Sequence, residues 1–163
     1  MSPLRAVIDT QMWVFAFEHE FVDDFESKQP YRAILEALEA GRFIPIFTRE
    51  TIDELRYILT QSRTVAQRFK IDVGLAEYFI DAITAPEVGA VVVKVEDPPY
   101  VCSDPDDDYF IDAAVVAHAD LVSEDAHLHE TSVKRYLAAH GVTVLYPKQL
   151  RKLIEPSKRP SHR

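Results

Sequence analysis

Short apolar runs alternate with longer amphipathic segments along the chain, and this alternation constrains the fold more than any other feature. Five runs have the apolar, often β-branched character of buried strands: RAVIDT (5–10), FIPIF (43–47), VGAVVVKV (88–95), LVS (121–123) and VTVLY (142–146). Strands that alternate with helices form a parallel sheet with helices on both faces. We therefore predict a three-layer α/β/α fold around a parallel sheet of about five strands.

The segments between these runs have the apolar spacing of helices. Helices are predicted within 11–20, 29–41, 48–61, 64–85, about 108–118, 131–140 and 147–154. Gly41 is a suitable stop for the second helix and Thr48 a suitable N-cap for the third, while 64–85 is broken near Asp72. Pro45 removes a hydrogen-bond donor from the second strand, so we expect that strand near a sheet edge.

Length and composition favour one globular domain. The chain has 163 residues, of which 47% are hydrophobic, and we expect a single domain over 1–154 followed by a basic, disordered tail over 155–163. No stretch approaches the roughly 20 apolar residues of a membrane span, so we expect no membrane association. A single cysteine, Cys102, is typical of a reducing compartment, and we expect a cytoplasmic location.

The net charge of −9 disfavours nucleic-acid binding through overall charge. A phosphate-bearing partner must then be held through metal ions or local basic patches. Five aspartates lie between Asp104 and Asp112. Two carboxylates about 4 Å apart repel by roughly 1 kcal/mol in water and about 4 kcal/mol near a protein surface. The N-terminal turn of a helix uses one or two aspartates, so a divalent cation is the sharper explanation.

Other acids reach the same edge of the predicted sheet. Asp9 ends the first strand, Glu50 and Glu54 share a face of the helix after the second, and Asp125 follows the fourth. Ligands of such sheets bind beyond the carboxyl ends of the strands. Carboxylate oxygens without clustered Cys or His favour Mg²⁺ or Mn²⁺. The predicted chemistry is phosphoryl transfer or phosphodiester hydrolysis.

Three segments together resemble the PIN-domain ribonuclease family, including the VapC-like toxins of bacterial toxin–antitoxin modules. They are VIDTQMWV (7–14), TRETIDELRYIL (48–59) and DPDDDYFIDAAVVAHADLVSEDAHL (104–128), in the order of the family. The resemblance implies a Mg²⁺- or Mn²⁺-dependent endoribonuclease that uses water to attack the RNA phosphodiester. It also implies a homodimer, which is usual in the family. A toxin would also have a small antitoxin protein as partner, with a segment that covers the acidic groove.

The resemblance also implies site residues. It makes Asp9 the central metal ligand within a set of four acids: Asp9, Glu54, Asp108 and Asp125. Thr10 and Ser123 match hydroxyl positions that support the metal waters. Asp107 and Asp104 compete with Asp108 for the third position, because a shift of one residue is easy in such a run. Gln11, where Asn is more common, and Glu124, where Gly or Asn is common, depart from the family pattern.

Simpler interpretations stand beside these. Asp9 and Asp125 also suit helix caps, and Glu54 suits a solvated helix face. His127 and His129 are predicted to be surface residues. The aromatic residues after Asp9 are expected in the core or a dimer interface: Trp13, Phe15 and Phe17. Five basic residues are either a phosphate-contacting rim or, for most of them, an ordinary solvated surface: Arg49, Arg56, Arg63, Arg68 and Lys70.

The residues of this chain fit two competing functions less well. A dehalogenase-type phosphatase needs a second Asp two positions after the first, where this chain has Gln11. A phospho-acceptor receiver domain needs more than one acid at the first strand. The remaining alternative is a catalytically silent PIN-like module that binds RNA or protein.

Overall fold

The computed structural model describes residues 2–22, 29–96, 98 and 100–156. Its sheet has five strands: β1 (Leu4–Ile8), β2 (Phe43–Phe47), β3 (Val91–Val92), β4 (Asp120–Val122) and β5 (Val144–Leu145). Their order across the sheet is β3-β2-β1-β4-β5, and every neighbouring pair is parallel. The predicted parallel α/β sheet is confirmed.

Helices cover both faces of this sheet. The described residues contain seven of them: α1 (Thr10–Phe21), α2 (Gln29–Glu39), α3 (Arg49–Thr60), α4 (Val73–Thr84), α5 (Asp108–Ala117), α6 (Thr131–Ala139) and α7 (Pro147–Ile154). Side chains alternate between the faces of a strand. Ala6 and Ile8 of β1 therefore pack in one buried cluster with α1, α2, α3, α4 and α7, whereas Val7 packs in the other with α5 and α6.

Local signals set the helix ends close to the predicted positions. The Thr48 hydroxyl accepts a hydrogen bond from the backbone N–H of Thr51 at 3.1 Å, and the Thr51 hydroxyl accepts one from the N–H of Thr48 at 3.0 Å. This reciprocal cap begins α3 directly after β2. Gly41, with φ of 65°, follows α2 in the left-handed conformation that glycine adopts without strain.

Two strands, β3 and β2, form one side of the sheet. The prediction placed β2 near a sheet edge, and β2 lies second from the edge, between β3 and β1. Pro45 is tolerated there because β3 pairs only with Ile46 and Phe47, so no β3 residue lies beside the missing donor. The predicted strand over 88–95 contributes only two residues to β3, since a 3-10 turn at Pro86–Val88 and left-handed Gly89 precede it.

The domain boundary at 154 and the disordered tail over 155–163 stay predictions. Helix α7 ends at Ile154, where the predicted domain ends, but 157–163 of the predicted tail lie outside the described residues. None of the helices in the described part of the chain has the length and apolarity needed to span a bilayer.

Candidate functional site

A cavity of about 440 Å³ opens at the carboxyl edge of the sheet. Five carboxylate residues line it: Asp9, Glu54, Asp107, Glu124 and Asp125. The other lining residues are Thr10, Gln11, Met12, Phe15, Ile58 and Phe110. None of these described lining residues is basic. The cavity therefore concentrates negative charge contributed by the segments that follow β1, β2 and β4 and by the turn before α5.

Asp9 occupies the centre of the strand edge and both of its carboxylate oxygens are held. Its backbone N–H donates to the Val122 carbonyl at 2.9 Å, which ties it to β4. Oδ2 accepts a hydrogen bond from the Ser123 hydroxyl at 2.6 Å, and Oδ1 accepts a longer one from the Gln11 N–H at 3.4 Å. Burial raises the pKa of Asp9 despite these hydrogen bonds, and the charges of Asp125 and Glu54 raise it further.

Two hydroxyls connect the other acids to this centre. The Thr10 hydroxyl donates to Glu54 Oε2 at 2.7 Å, which links the start of α1 to the second turn of α3. The Ser123 hydroxyl, besides donating to Asp9, accepts the backbone N–H of Asp125 at 2.9 Å. Thr10 and Ser123 thus lie within the acidic site, where each hydroxyl orients a carboxylate. Asp125 also caps the short 3-10 turn after β4, because its Oδ1 accepts the His127 N–H at 2.9 Å.

The aspartate run differs from expectation by one residue. Asp108, predicted as the third acid, is fully buried and does not line the cavity. Its Oδ1 accepts the backbone N–H groups of Val101 and Cys102 at 3.0 and 3.1 Å, so this carboxylate anchors the preceding loop beneath α5. Asp104 caps the 3-10 turn Pro105–Asp107 through the Asp106 N–H at 3.1 Å. That turn brings Asp107 to the cavity instead.

Asp107 is the acid of the site whose pKa is shifted most. Burial raises its pKa from 3.8 to about 7, and the charges of Asp125, Asp9 and Asp104 act in the same direction, whereas His127 opposes them. Its Oδ2 is buried without a hydrogen-bond partner among the described residues. A buried anionic oxygen without a donor is costly. A cation in the cavity would supply the missing interaction.

The donor set fits Mg²⁺ or Mn²⁺. All five acids offer hard oxygen ligands, which both ions prefer. Among the residues that the structure describes, no three His, Cys, Asp or Glu side chains are grouped so that they could hold a metal ion together. Mg²⁺ does not need such a group, because it retains several waters and takes one or two carboxylates directly. An open, carboxylate-lined cavity with the unpartnered Asp107 Oδ2 meets that requirement.

Glu50 and His127, which the sequence also singled out, lie outside the cavity lining. Glu50 is exposed and does not line the cavity, although Glu54 on the same helix does. His127 is exposed as predicted, and its Nδ1 lies 2.7 Å from the Ser103 hydroxyl and 3.1 Å from Glu130. The hydrogen bond to Glu130 raises the pKa of His127.

His129 was also predicted at the surface, and it is only partly exposed. Its Nε2 donates to the Ser123 carbonyl at 2.6 Å, and its ring stacks on Tyr146 with centroids 3.7 Å apart. His129 therefore supports the backbone of the residue whose hydroxyl orients Asp9.

The predicted basic rim does not border the cavity. None of its five members lines it: Arg49, Arg56, Arg63, Arg68 and Lys70. Arg56 instead contacts Glu77 at 3.0 Å and Asp53 at 3.2 Å, and Arg49 lies 3.9 Å from the same Asp53. These exposed pairs support the interpretation as an ordinary solvated surface for Arg49 and Arg56.

The sequence left Asp107 as an alternative to Asp108 for the third position, but it did not lead us to expect an apolar side of the cavity. The signal for this apolar side was helical spacing. Met12 and Phe15 lie three residues apart on α1, so they share one face of that helix. Ile58 follows Glu54 by four residues on α3, so it lies on the same helix face as that acid.

Comparison with known families agrees with this arrangement. A family model described as PIN domain matches residues 5–127, about three quarters of the chain. The chain belongs to the PIN domain family. Every residue that lines the acidic cavity of this PIN domain falls within the matched span. PIN domains are generally metal-dependent nucleases that act on RNA, so this chain has a nuclease-like fold. A search of curated proteins finds no match.

Proposed function

We propose that this PIN domain is a metal-dependent endoribonuclease that hydrolyses RNA phosphodiester bonds. One observation carries the proposal: acids from four separate chain segments line one cavity, and one of them has a buried oxygen without a donor. The four proposed catalytic acids are Asp9, Glu54, Asp107 and Asp125. Asp107 takes the role that sequence comparison gave to Asp108, because only Asp107 borders the cavity.

These acids would hold Mg²⁺ or Mn²⁺, with Asp9 as the central ligand. When bound, such an ion activates a water and stabilises the leaving oxygen of the phosphodiester. Ser123 keeps Asp9 in one orientation, and Thr10 keeps Glu54 in another, so neither carboxylate must reorganise when the substrate enters. Glu124 adds a fifth carboxylate at the cavity wall and is available as a further ligand.

The test is cleavage of a mixed RNA panel with Mg²⁺ or Mn²⁺, with EDTA as the metal-free control. We expect Asp9→Asn and Asp107→Asn to lower kcat by at least about 100-fold, as loss of a group acting directly on the reacting atoms does. Asp108→Asn is the matched control. Its amide oxygen still accepts the two N–H groups of the loop, so we expect activity within about threefold of wild type.

Two results would contradict the assignment. Folded protein that cuts no RNA with either metal would reject the nuclease proposal. A loss of activity in Asp108→Asn together with full activity in Asp107→Asn would return the third role to Asp108. Cleavage that survives both Asp9→Asn and EDTA would come from a contaminant.

We further propose that the nuclease is the toxin of a toxin–antitoxin module and acts as a homodimer. The charge of the cavity supports a basic partner, because five carboxylates line it and none of its described lining residues is basic. An antitoxin segment that places an Arg among these carboxylates would form charge-assisted hydrogen bonds and compete with the metal.

Co-expression with the product of a small neighbouring open reading frame tests this role. Copurification and suppressed RNA cleavage would support it, and size-exclusion chromatography with light scattering would give the oligomeric state. If no neighbouring product binds or inhibits, the toxin role is rejected while the nuclease assignment stands.

The alternative is a silent PIN-like module that binds RNA or a protein without cutting. The absence of a three-ligand metal group among the described residues favours it. This alternative predicts RNA binding that Asp9→Asn leaves intact, and no metal-dependent cleavage in the wild type.

A further inference from the structure

The acidic cavity has a second, apolar side. Met12 and Phe15 come from α1, Ile58 from α3 and Phe110 from α5. Met12 and Phe110 are buried, with 1% and 4% of their surface exposed, whereas Phe15 and Ile58 are partly exposed. We refer to Met12, Phe15, Ile58 and Phe110 as the apolar wall. It belongs to the same 440 Å³ cavity as the acids, and most of its exposed surface comes from Phe15 and Ile58.

Phe15 is the accessible aromatic ring of this wall. Two other aromatic residues of α1, Trp13 and Phe17, are 2% and 1% exposed and belong to the core. Phe15 contacts the buried ring of Tyr31, with centroids 5.1 Å apart and planes tilted by 48°. This contact fixes the ring position. An aromatic side chain that is held in place and borders a polar cavity is a suitable stacking platform.

The charges of the cavity require an uncharged source of affinity. RNA is a polyanion, and proteins usually attract it with Lys and Arg. None of the described residues lining this cavity is basic, and five are acids. A cation held by these acids would neutralise one phosphate at the reaction centre and would leave the neighbouring nucleotide without a partner. Every nucleobase has a flat apolar face, so stacking supplies affinity that the charges of this cavity oppose.

Gln11 adds a polar group to the cavity beside the wall. It is exposed, its side-chain amide carries both donors and an acceptor, and it lies one residue from Met12. Such an amide forms paired hydrogen bonds with the edge of a base, as Gln does with adenine. The cavity therefore contains reaction-centre acids, an aromatic face and an edge-reading amide within one volume.

We propose that the apolar wall and Gln11 form a nucleobase subsite, in which one unstacked base of single-stranded RNA stacks on Phe15 beside the scissile phosphate. The subsite rests on the proposed nuclease function and specifies its substrate. A base within a duplex is stacked on both sides and paired at its edge. The subsite therefore takes a base that is already unstacked and unpaired, and Gln11 determines which base is preferred.

The first test measures stacking without turnover. The probes are single-stranded RNAs that each carry one 2-aminopurine, placed at a different position beside the cleavage site. Each probe is titrated with the Asp9→Asn protein in Mg²⁺. Quenching of the 2-aminopurine fluorescence reports stacking on an aromatic ring. We expect quenching at one position. Phe15→Leu in this background removes it and weakens binding about tenfold, the range for loss of one base–aromatic stack. Phe15→Trp retains both.

Tyr78→Leu is the matched control, because Tyr78 is an exposed aromatic residue on α4, 67% exposed, that does not line the cavity. We expect it to leave quenching and affinity unchanged. Equal binding of wild-type and Phe15→Leu forms of the protein would overturn the proposal. So would quenching that persists in Phe15→Leu, since the stacking ring would then lie elsewhere. Melting curves show whether each variant is folded.

The second test separates this subsite from the nuclease function itself. Wild-type protein is given RNA substrates that differ only by one abasic position next to the cleavage site. We expect KM to rise about tenfold at the stacked position, with a smaller change in kcat. Equal cleavage of intact and abasic substrates rejects the subsite alone. Absence of cleavage of every substrate with Mg²⁺ or Mn²⁺ rejects the nuclease function, and the subsite falls with it.

Discussion

At the scale of single residues, adjacent aspartates do different work. Each has a buried Oδ2 without a hydrogen-bond partner among the described residues, but Asp107 borders the cavity, whereas Oδ1 of Asp108 accepts two backbone N–H groups inside the protein. The charge and position of the run were enough to predict that it contributes to an acidic site. The choice between neighbours was not predictable, because it depends on how the Pro105–Asp107 turn enters α5.

The raised pKa of Asp107 predicts a pH-dependent stability. Between about pH 4 and pH 7 the folded protein keeps a proton that the unfolded chain has already released, so the free energy of unfolding falls as pH rises through this window. Asp107→Asn removes this titration. At pH 8 without metal we expect the variant to be more stable by about 1 kcal/mol after allowance for solvent screening, or roughly 3 °C in Tm. Below pH 4 the two proteins should unfold alike, and an equal Tm difference at both pH values would contradict the prediction.

The buried carboxylate of Asp108 predicts a contrast between two substitutions. Asp108→Ala leaves the N–H groups of Val101 and Cys102 without an acceptor, so we expect a loss of about 2–4 kcal/mol in the free energy of unfolding. Asp108→Asn retains an acceptor oxygen and should lose about 1 kcal/mol or less. Urea unfolding of both variants measures this. Equal losses would mean that the charge, and not the acceptor, stabilises the loop.

At the scale of elements, the site is assembled where strand ends meet helix starts. Ser123, directly after β4, is fully buried and holds Asp9 at the end of β1 while it accepts the Asp125 N–H. One hydroxyl therefore sets the relative position of two acids that come from neighbouring strands.

Removal of that hydroxyl predicts a loss of activity with little loss of fold. For Ser123→Ala we expect kcat to fall about tenfold and the pKa of Asp9 to rise further, because the variant loses the hydrogen bond that stabilises the Asp9 carboxylate. Ser132→Ala is a suitable control, since its exposed hydroxyl donates to the Val101 carbonyl and does not line the cavity. Cleavage rates of both variants, with Mg²⁺ titrated, provide the measurement. Equal effects would assign the loss to general stability.

The helices and strands differ in how well sequence patterns predict them. Helix α3 follows its cap, because Thr48 and Thr51 satisfy each other's backbone groups whatever surrounds them. The β-branched residues of 88–95 were expected to form one of the five strands, yet β3 has only two residues. Strand formation depends on a partner, and β2 offers β3 only Ile46 and Phe47. Local caps are readable from sequence, while strand lengths depend on distant neighbours.

At the scale of the whole molecule, the five cavity carboxylates lie within a chain that already has a net charge of −9. Bringing these acids to one edge of the sheet opposes folding, because like charges repel in a partly desolvated cavity. A bound divalent cation reverses that effect, and ligands that bind only the folded state raise its stability.

Metal binding should therefore be visible in thermal unfolding. At pH 8 and a Mg²⁺ concentration of about 100 Kd, we expect about 2.7 kcal/mol of stabilisation, which is roughly 5–10 °C in Tm for a chain of this size. Asp9→Asn and Asp107→Asn should lose most of this gain, whereas Asp108→Asn should retain it. A gain that is equal in all four proteins would indicate metal binding outside the cavity.

The hydrogen bond between Ser123 and Asp9 joins residues 114 positions apart. At translation rates of about 5–20 residues per second, roughly 6–23 seconds separate the synthesis of these two partners. Throughout that interval the nascent chain carries Asp9 and Glu54 without the strand that aligns them. An abandoned translation product that stops before β4 would have no assembled acidic centre, so the site forms only after β4 and the residues that follow it have been made.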